Sequence, residues 1–322
     1  MTPRRAFIAA PLVLLLAGCG GSQDTLAPVS HPEHSISDLF WVMLVGSCIG
    51  FALIVFLLVL GWVRRGRPTL PFGGGEKAAT GVVIGMGVAL PIVLLSALFV
   101  YSDLFVLNST AAPTKRSTDM TIDVIGRQWW WEVRYPGSRV VTANEIHIPV
   151  NTRVNVVATT ADVIHSFWVP RLNRKIDMNP GMFNRVLLET SRPGIYRGQC
   201  AEFCGLQHAH MAISVIAEPR AAFERWLARN ARPAQETSAL FTQSCGSCHT
   251  IRGTDAHGTA GPDLTHFGSR RTLAALTRPN DRGNLDDWLR DPQHVKPGNR
   301  MPKVALSDAD RAALVRYLES LR

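Results

Sequence analysis

The sequence has few cysteines and no run of basic residues. Its 322 residues contain six cysteines, four of them in two short motifs, and the two others lie in apolar surroundings, so no structural disulfide is predicted. The net charge is +9, but no basic block or nucleic-acid-binding motif occurs, which excludes a nucleic acid as partner. Internal repeats and low-complexity tracts are also lacking, so the chain is not a repeat protein.

Charge is absent from two long apolar runs, residues 39–63 and 78–101. Each exceeds the ~20 residues that a helix needs to span a bilayer, so together they predict a two-helix transmembrane hairpin. Four basic residues and one acidic residue lie between them, in residues 64–77, and this excess places the loop on the cytoplasmic side. Residues 19–38 and everything from residue 102 onward are then expected on the periplasmic or outer face of a bacterial inner membrane.

The N-terminus has the composition of a secretory signal. Two arginines precede an apolar stretch that ends in small residues, which predicts a signal peptide over residues 1–18. The tetrapeptide LAGC at its end resembles a bacterial lipoprotein box, which implies lipidation of Cys19; a plain signal peptide or an uncleaved anchor is the alternative. Cys48 lies inside the first apolar run and is predicted to be a small buried hydrophobe.

The run CAEFCGLQHAHM at residues 200–211 concentrates metal-binding side chains. With one upstream histidine it offers five side-chain donors: His165, Cys200, Cys204, His208 and Met211. A structural zinc closes with four donors, and a mononuclear copper site uses two histidines, one cysteine and a weak axial methionine. Two copper ions that share both thiolates account for the larger number. A CxxxC disulfide or a single zinc is the alternative, and the methionine argues against zinc.

This run resembles the binuclear CuA site of cytochrome c oxidase subunit II, and so does DVIHSFWVP at residues 162–170. The resemblance implies an all-β cupredoxin domain over residues 102–218, with copper held by two loops at one end. It also implies that the carbonyl of Glu202 is a sixth ligand and that His208, not His210, is the ligand. In relatives the carboxylate that matches Glu202 binds magnesium at the boundary with subunit I; a solvated glutamate is the alternative.

Three consecutive tryptophans occur in GRQWWWEVRYP, residues 126–136. The family's electrons reach CuA through the tryptophan that matches Trp129, so the resemblance implies this role for Trp129. Core filling and function both stay open for Trp130 and Trp131. Short alternating segments between proline–glycine turns predict strands of a sandwich or barrel, at 121–126, 145–150, 153–159, 185–190 and 212–218. An amphipathic helix and a linker are predicted for residues 219–236.

A second cofactor motif, CGSCH, occupies residues 245–249. The CxxCH pattern attaches haem c through two thioethers while its histidine binds the iron, so Cys245 and Cys248 would hold the porphyrin and His249 would be the proximal ligand. A zinc half-site or a redox dithiol is the alternative. No second CxxC follows in this part of the sequence, which favours haem.

The last residues, 237–322, resemble an all-α class I cytochrome c domain. Met301, in NRMP, resembles its distal methionine ligand, and GPDL at residues 261–264 resembles its haem-packing loop. Ser307 begins a capping-box pattern, which predicts the start of the C-terminal helix. Three other residues could compete for the distal position: His257, His266 and His294.

Taken together, the lipoprotein box, the hairpin, the cupredoxin domain and the haem domain resemble subunit II of a caa3-type haem–copper oxidase. The resemblance implies a relay from cytochrome c or another periplasmic donor through haem c and CuA to the oxygen-reducing centre, with subunits I and III as partners and proton translocation as the coupled process. Neither apolar run contains a histidine, so that centre must lie in a partner. The alternatives are the electron-accepting subunit of a CuA-type nitric oxide reductase and a freestanding membrane-tethered carrier.

Two positions depart from the family pattern. Ile84 stands where relatives have a glutamate at the mouth of a proton path, and Met182 follows Pro-Gly where an arginine is usual. Neither role can therefore be carried over to this chain.

Because the haem of this chain would be covalently tethered, at an effective concentration on the order of millimolar, we expect internal electron transfer to depend little on salt.

Overall fold

The computed structural model describes residues 21–65 and 75–322. The described residues form two compact units, His34–Ala111 and the residues up to Glu33 together with Ala112–Arg322. The predicted signal peptide, Cys19 and residues 66–74 of the predicted cytoplasmic loop lie outside the described residues.

Two long helices carry the apolar runs, α1 at His31–Arg64 and α2 at Glu76–Thr110. Their most apolar windows have mean hydropathies of 2.8 and 2.6 and are not buried within the chain, so each helix could cross a membrane by length and composition. The π-helical turns of α2 are Gly85–Ala89 and Ser102–Leu107. Cys48 is exposed on α1, as are the neighbouring apolar side chains, so the predicted small buried hydrophobe is not buried among the described residues.

The segment after the helices folds into two five-stranded sheets, ordered β3-β2-β1-β5-β8 and β4-β10-β9-β6-β7. The strands are β1 (Met120–Arg127), β2 (Trp130–Arg134), β3 (Val141–Ala143), β4 (Glu145–Pro149), β5 (Val154–Thr160), β6 (His165–Trp168), β7 (Ile176–Met178), β8 (Asn184–Leu188), β9 (Gly194–Cys200) and β10 (Ala212–Glu218). β1 pairs with β5 and β4 with β10 in parallel, and the other pairs are antiparallel. All five strands predicted from the sequence are present.

One apolar cluster draws side chains from both sheets, as in a β-sandwich. Along β1, Ile122 and Val124 are fully buried while their neighbours are half-buried, the period-two pattern of a strand with one face on a core. Trp131 of β2 and Phe167 of β6 are buried, and their rings meet edge to face at 5.9 Å. The amphipathic helix predicted after the last strand is α3, Arg220–Asn230, which packs on this cluster.

The C-terminal residues form a helical domain with its own apolar cluster. Its helices are α4 (Ala239–Ser244), α5 (Arg282–Arg290), α6 (Pro292–Val295) and α7 (Asp308–Ser320), and a short hairpin pairs β11 (Thr272–Leu273) with β12 (Arg278–Pro279). The Ser307 hydroxyl accepts a hydrogen bond from the Asp310 amide at 3.1 Å, so the predicted cap of α7 is confirmed. The predicted multidomain fold of helical hairpin, cupredoxin-like sheets and helical haem domain is confirmed.

Candidate metal centre and haem cavity

The predicted copper donors lie at two places in the chain that sheet pairing brings together. His165 begins β6, and Cys200 ends β9. Because β6 and β9 pair with Phe167 opposite Cys200, His165 lies beside the end of β9 although it is 35 residues away in sequence. The other donors lie in the connection from β9 to β10.

The two thiols at the centre of this group are buried and unbonded. The Sγ atoms of Cys200 and Cys204 lie 3.8 Å apart, whereas a disulfide requires about 2 Å. The hydrogen bond between the two thiols lowers the pKa of Cys200, and the same pairing raises the pKa of Cys204. One thiolate is therefore favoured before any cation binds, and thiolate is the form that ligates metals.

At one end of the group, Nδ1 of His165 and the carbonyl oxygen of Glu202 lie 3.8 and 3.2 Å from Cys200 Sγ. Nε2 of His165 makes a 2.9 Å hydrogen bond with Asp162, which leaves Nδ1 facing the thiol. Desolvation opposes protonation of His165, but hydrogen bonds with Asp162 and Cys200 raise its pKa. Gly126 makes room for the ring, since a Cβ there would lie 2.7 Å from its Cδ2 atom.

At the other end, Nδ1 of His208 and Sδ of Met211 lie 3.6 and 3.8 Å from Cys204 Sγ. His210 is directed elsewhere, because its Nδ1 makes a 2.8 Å hydrogen bond with Gln207. Of the two histidines in the run, His208 is therefore the one that faces the thiols.

These six donors fit two metal ions better than one. Two donors on a single tetrahedral ion, each about 2.0–2.3 Å from it, lie about 3.3–3.8 Å apart, and the measured neighbour distances are 3.2–3.8 Å. His165 groups with both thiols, whereas His208 approaches only Cys204. One tetrahedral ion would leave two donors without a role, while two ions that share both thiolates use all six.

The three tryptophans lie in two different environments, a cavity and the core of the sandwich. Trp129 precedes the strand, and its indole N–H donates to the Cys204 carbonyl at 2.9 Å, beside a 2.7 Å hydrogen bond from the Gln128 side chain to the same oxygen. Trp129 and Trp130 both line the cavity described next. Trp131 is fully buried in the sandwich, so of the two tryptophans left open by the sequence it is the core residue.

A cavity of about 370 Å³ in the helical domain reaches the sandwich at Trp129 and Trp130. The residues predicted to hold haem all line it: Cys245, Cys248, His249 and Met301. Apolar side chains from three helices complete the wall, among them Phe241 of α4, Leu285 of α5 and Leu314 of α7. The three histidines that could have competed with Met301 are not among its lining residues.

His249 is held in the orientation that iron ligation needs. Its Nδ1 makes a 2.9 Å hydrogen bond with the carbonyl of Pro262, in the predicted packing loop, which leaves Nε2 for a metal. Desolvation lowers the pKa of His249, so the neutral, ligating imidazole is favoured. Gly261 lies against the ring, where a Cβ would be only 2.4 Å from Cε1. The chain therefore leaves space at this position for the imidazole and nothing larger.

Three residues of these sites escaped the sequence interpretation. Asp162 orients His165, and its carboxylate also accepts a hydrogen bond from the backbone N–H of Gln128 at 2.7 Å. Arg270 lines the cavity, and its Nε is shielded from solvent without a hydrogen-bond partner among the described residues; a haem propionate would supply one. Lys296 also lines the cavity. Each is a single charged residue in a loop, and no local pattern distinguishes it.

Comparisons with known proteins agree with this arrangement. The family of cytochrome c oxidase subunit II periplasmic domains matches residues 137–218, and the cytochrome c family matches residues 234–322. The cytochrome c oxidase subunit 2 of Alkalihalophilus pseudofirmus is 33% identical over 97% of this chain and 95% of its own length, and that of Bacillus subtilis is 30% identical over 99% and 98%. A crystal structure of the periplasmic domain of subunit II of cytochrome oxidase from Bradyrhizobium japonicum is 32% identical and covers 37% of this chain and 96% of its own, with a TM-score of 0.35, too low for a structural argument.

Proposed function

This chain belongs to the cytochrome c oxidase subunit II family, and we propose that it relays electrons from a covalently bound haem c through Trp129 to a binuclear copper centre. It is the electron-transfer subunit of a membrane-anchored oxidase and works with the other oxidase subunits. What we propose is where copper and haem bind in this chain and which role each binding residue has.

One observation carries the copper assignment: each of two neighbouring thiols faces its own histidine. Cys200 faces His165 and Cys204 faces His208. Bound copper would supply a one-electron couple whose charge spreads over both thiolates. The chain's part is to hold the donors on a paired sheet and a short connection, shielded from water, so that they move little when an electron arrives.

The haem assignment rests on the cavity wall. Cys245 and Cys248 would form the thioethers, and His249 through Nε2 and Met301 would be the protein ligands of the iron. Trp129 lines the same cavity and donates its indole N–H to the Cys204 carbonyl. One side chain therefore contacts both the space for the haem and a copper-donor residue.

Replacement of Trp129 by phenylalanine is expected to slow electron transfer from haem to copper several-fold. The change keeps an aromatic ring but removes the hydrogen bond to Cys204. Time-resolved absorbance after photoinjection of an electron into the haem would measure the rate. Trp62→Phe, on the exposed surface of α1, is the control and should transfer at the wild-type rate. Equal rates in the two variants would remove Trp129 from the relay.

Internal transfer is also expected to change little with ionic strength. The haem domain packs on the sandwich through short contacts, such as the 2.8 Å hydrogen bond from the Arg271 amide to Glu145, so no diffusional encounter is needed. Delivery from an external donor is such an encounter, and its steering weakens as the Debye length falls from about 30 Å at 0.01 M salt to about 8 Å at 0.15 M. Time-resolved absorbance across this salt series would separate the two steps. A parallel decline of both rates would contradict the prediction.

We further propose a two-pass topology with the copper and haem domains on the periplasmic face, subunits I and III as membrane partners, and cytochrome c or another periplasmic protein as donor. Lipidation of Cys19 is proposed from the sequence alone.

The Glu202 carboxylate is exposed and belongs to no group of candidate ligands among the described residues. A magnesium ion bound there would take its remaining protein ligands from outside the part of the chain that the structure describes.

Oxygen is the proposed terminal acceptor, since the relatives that match nearly the whole chain are named cytochrome c oxidase subunits. Purification of the complex that contains this chain, followed by measurement of oxygen and nitric oxide consumption with reduced donor, tests this proposal. Oxygen consumption supports it. Consumption of nitric oxide alone would assign the chain to a nitric oxide reductase.

A further inference from the structure

Lys296 is a lysine buried where the helical domain meets the sandwich. It follows α6 and is 3% exposed. Its ammonium group donates to the carbonyl oxygens of Trp129 and His210 at 2.9 Å each and of Ala274 at 3.3 Å. These three hydrogen bonds use all the protons of an ammonium group, and two of them cross from the haem domain to the sandwich.

The acceptors of Lys296 are backbone carbonyls, without a carboxylate. Desolvation lowers the pKa of Lys296 to about 7, opposed by the charge of Cys204. A buried ammonium whose hydrogen bonds go only to neutral carbonyls destabilises a fold relative to an apolar side chain of the same size. Packing alone would therefore favour methionine or leucine at this position, so the contacts of Lys296 require another explanation.

Two of the three carbonyls that Lys296 binds belong to residues on or beside the proposed electron path. Trp129 is the proposed relay residue, and His210 precedes the copper donor Met211 in the turn that also carries His208. Lys296 itself lines the haem cavity. One charged side chain thus contacts the relay residue, the copper-donor turn and the space for the haem.

Two further hydrogen bonds connect the loop that carries Met301 with the copper site. The Gln207 side chain donates to the Pro297 carbonyl, and the Arg300 guanidinium donates to the Gln128 side chain, which in turn donates to the Cys204 carbonyl. Gln207 lies in the turn of copper donors, so residues 296–301 are fixed to this turn at several points. Of these contacts, those of Lys296 are the most deeply buried.

We propose that Lys296 is a positioning residue for electron transfer, which fixes the Met301 loop against Trp129 and keeps a positive charge beside the haem cavity and the copper-donor turn. This inference rests on the proposed function, because it requires haem and copper at the two sites. The position would set the electronic contact through Trp129. The positive charge would favour the reduced, more negative state of a neighbouring redox centre, because opposite charges attract each other strongly in a desolvated site.

The test uses the full chain in its purified oxidase and three variants. Lys296→Met keeps the length of the side chain but removes its charge and its donors; Lys296→Arg keeps both. Lys303→Met is the control, because Lys303 lies just beyond the same loop, is 61% exposed and pairs with Asp291 at the surface. The measurements are the haem midpoint potential by spectroelectrochemical titration and the haem-to-copper rate by time-resolved absorbance.

Lys296→Met is expected to slow internal transfer several-fold, because the Met301 loop is no longer fixed against Trp129, and to lower the haem midpoint potential. Lys296→Arg should keep the wild-type potential and recover most of the rate, and Lys303→Met should change neither. A wild-type rate and potential in Lys296→Met would overturn the inference. Equal rate losses in Lys296→Met and Lys296→Arg without a shift of potential would also overturn it, since they would indicate packing alone.

The wild-type protein separates this inference from the proposed function. If the purified wild type lacks either copper or haem, the proposed function fails and the variants are not compared. If Lys296→Met does not assemble, as covalent haem content would reveal, Lys296→Arg decides: a wild-type potential with a near wild-type rate supports the role, and a shifted potential overturns it because the charge is still present.

Discussion

Replacement of Cys200 by serine is expected to remove both copper ions while the haem remains in place. Cys200 is the thiol that faces His165 and the Glu202 carbonyl, and a thiolate shared by two ions cannot be replaced by a hydroxyl with a far higher pKa. Copper in the purified full chain should fall from two ions to fewer than one, and electron delivery to the oxygen-reducing subunit should fall by orders of magnitude. Metal analysis and the haem spectrum of the same sample would measure both effects.

The matched control for this prediction is Cys48→Ser. Cys48 lies exposed on α1, outside both candidate sites, so this variant should keep two copper ions and full electron delivery. A single copper ion or a zinc ion in the wild type would contradict the binuclear interpretation. Loss of haem together with copper in Cys200→Ser would show that the two sites depend on each other, contrary to their separate apolar clusters.

Replacement of Gly261 by alanine is expected to abolish the low-spin haem spectrum. The added methyl group would lie 2.4 Å from Cε1 and 2.7 Å from Nδ1 of His249, so the imidazole must turn and lose its hydrogen bond with Pro262. Overpacking of this kind typically costs about 1–3 kcal/mol, and here it falls on the proposed iron ligand. Absorbance spectra would show loss of the six-coordinate form, while a denaturing gel stained for haem would report covalent attachment through the two cysteines.

Gly283→Ala is the control for the haem prediction. Gly283 lies in the first turn of α5, where a Cβ would meet only Asp281 at an ordinary 3.6 Å. Alanine there should leave the spectrum unchanged and stabilise the helix slightly, because glycine is a poor helix former. A wild-type spectrum in Gly261→Ala would mean that His249 tolerates the methyl group and that the packing loop does not orient it.

Much of this architecture follows from local patterns. The two apolar runs, the CxxCH motif and the alternating strands are each defined by residues close together in sequence. Five strands of the sandwich escaped the sequence interpretation, including β9 (Gly194–Cys200), which contains two glycines and alternates poorly. Its place in the sheet is fixed by its neighbours β6 and β10, not by its own propensity.

The tryptophans show the same limit at the level of single residues. Three identical side chains in a row carry no local signal for which of them belongs to the core. Trp131 is buried because β2 starts at Trp130 and presents alternate side chains to the core, whereas Trp129 precedes the strand and reaches the Cys204 carbonyl. The register of β2 against β1 distinguishes them.

Residue types and spacing were sufficient to name the candidate donors that the structure brings together, because metals and haem impose their chemistry on short motifs. They were not sufficient for the contacts between distant segments. The approach of His165 to Cys200 depends on the pairing of β6 with β9, and the buried position of Lys296 depends on how the helical domain packs on the sandwich. Long-range packing of this kind is fixed by the burial of two apolar cores at once, and no single stretch of sequence records it.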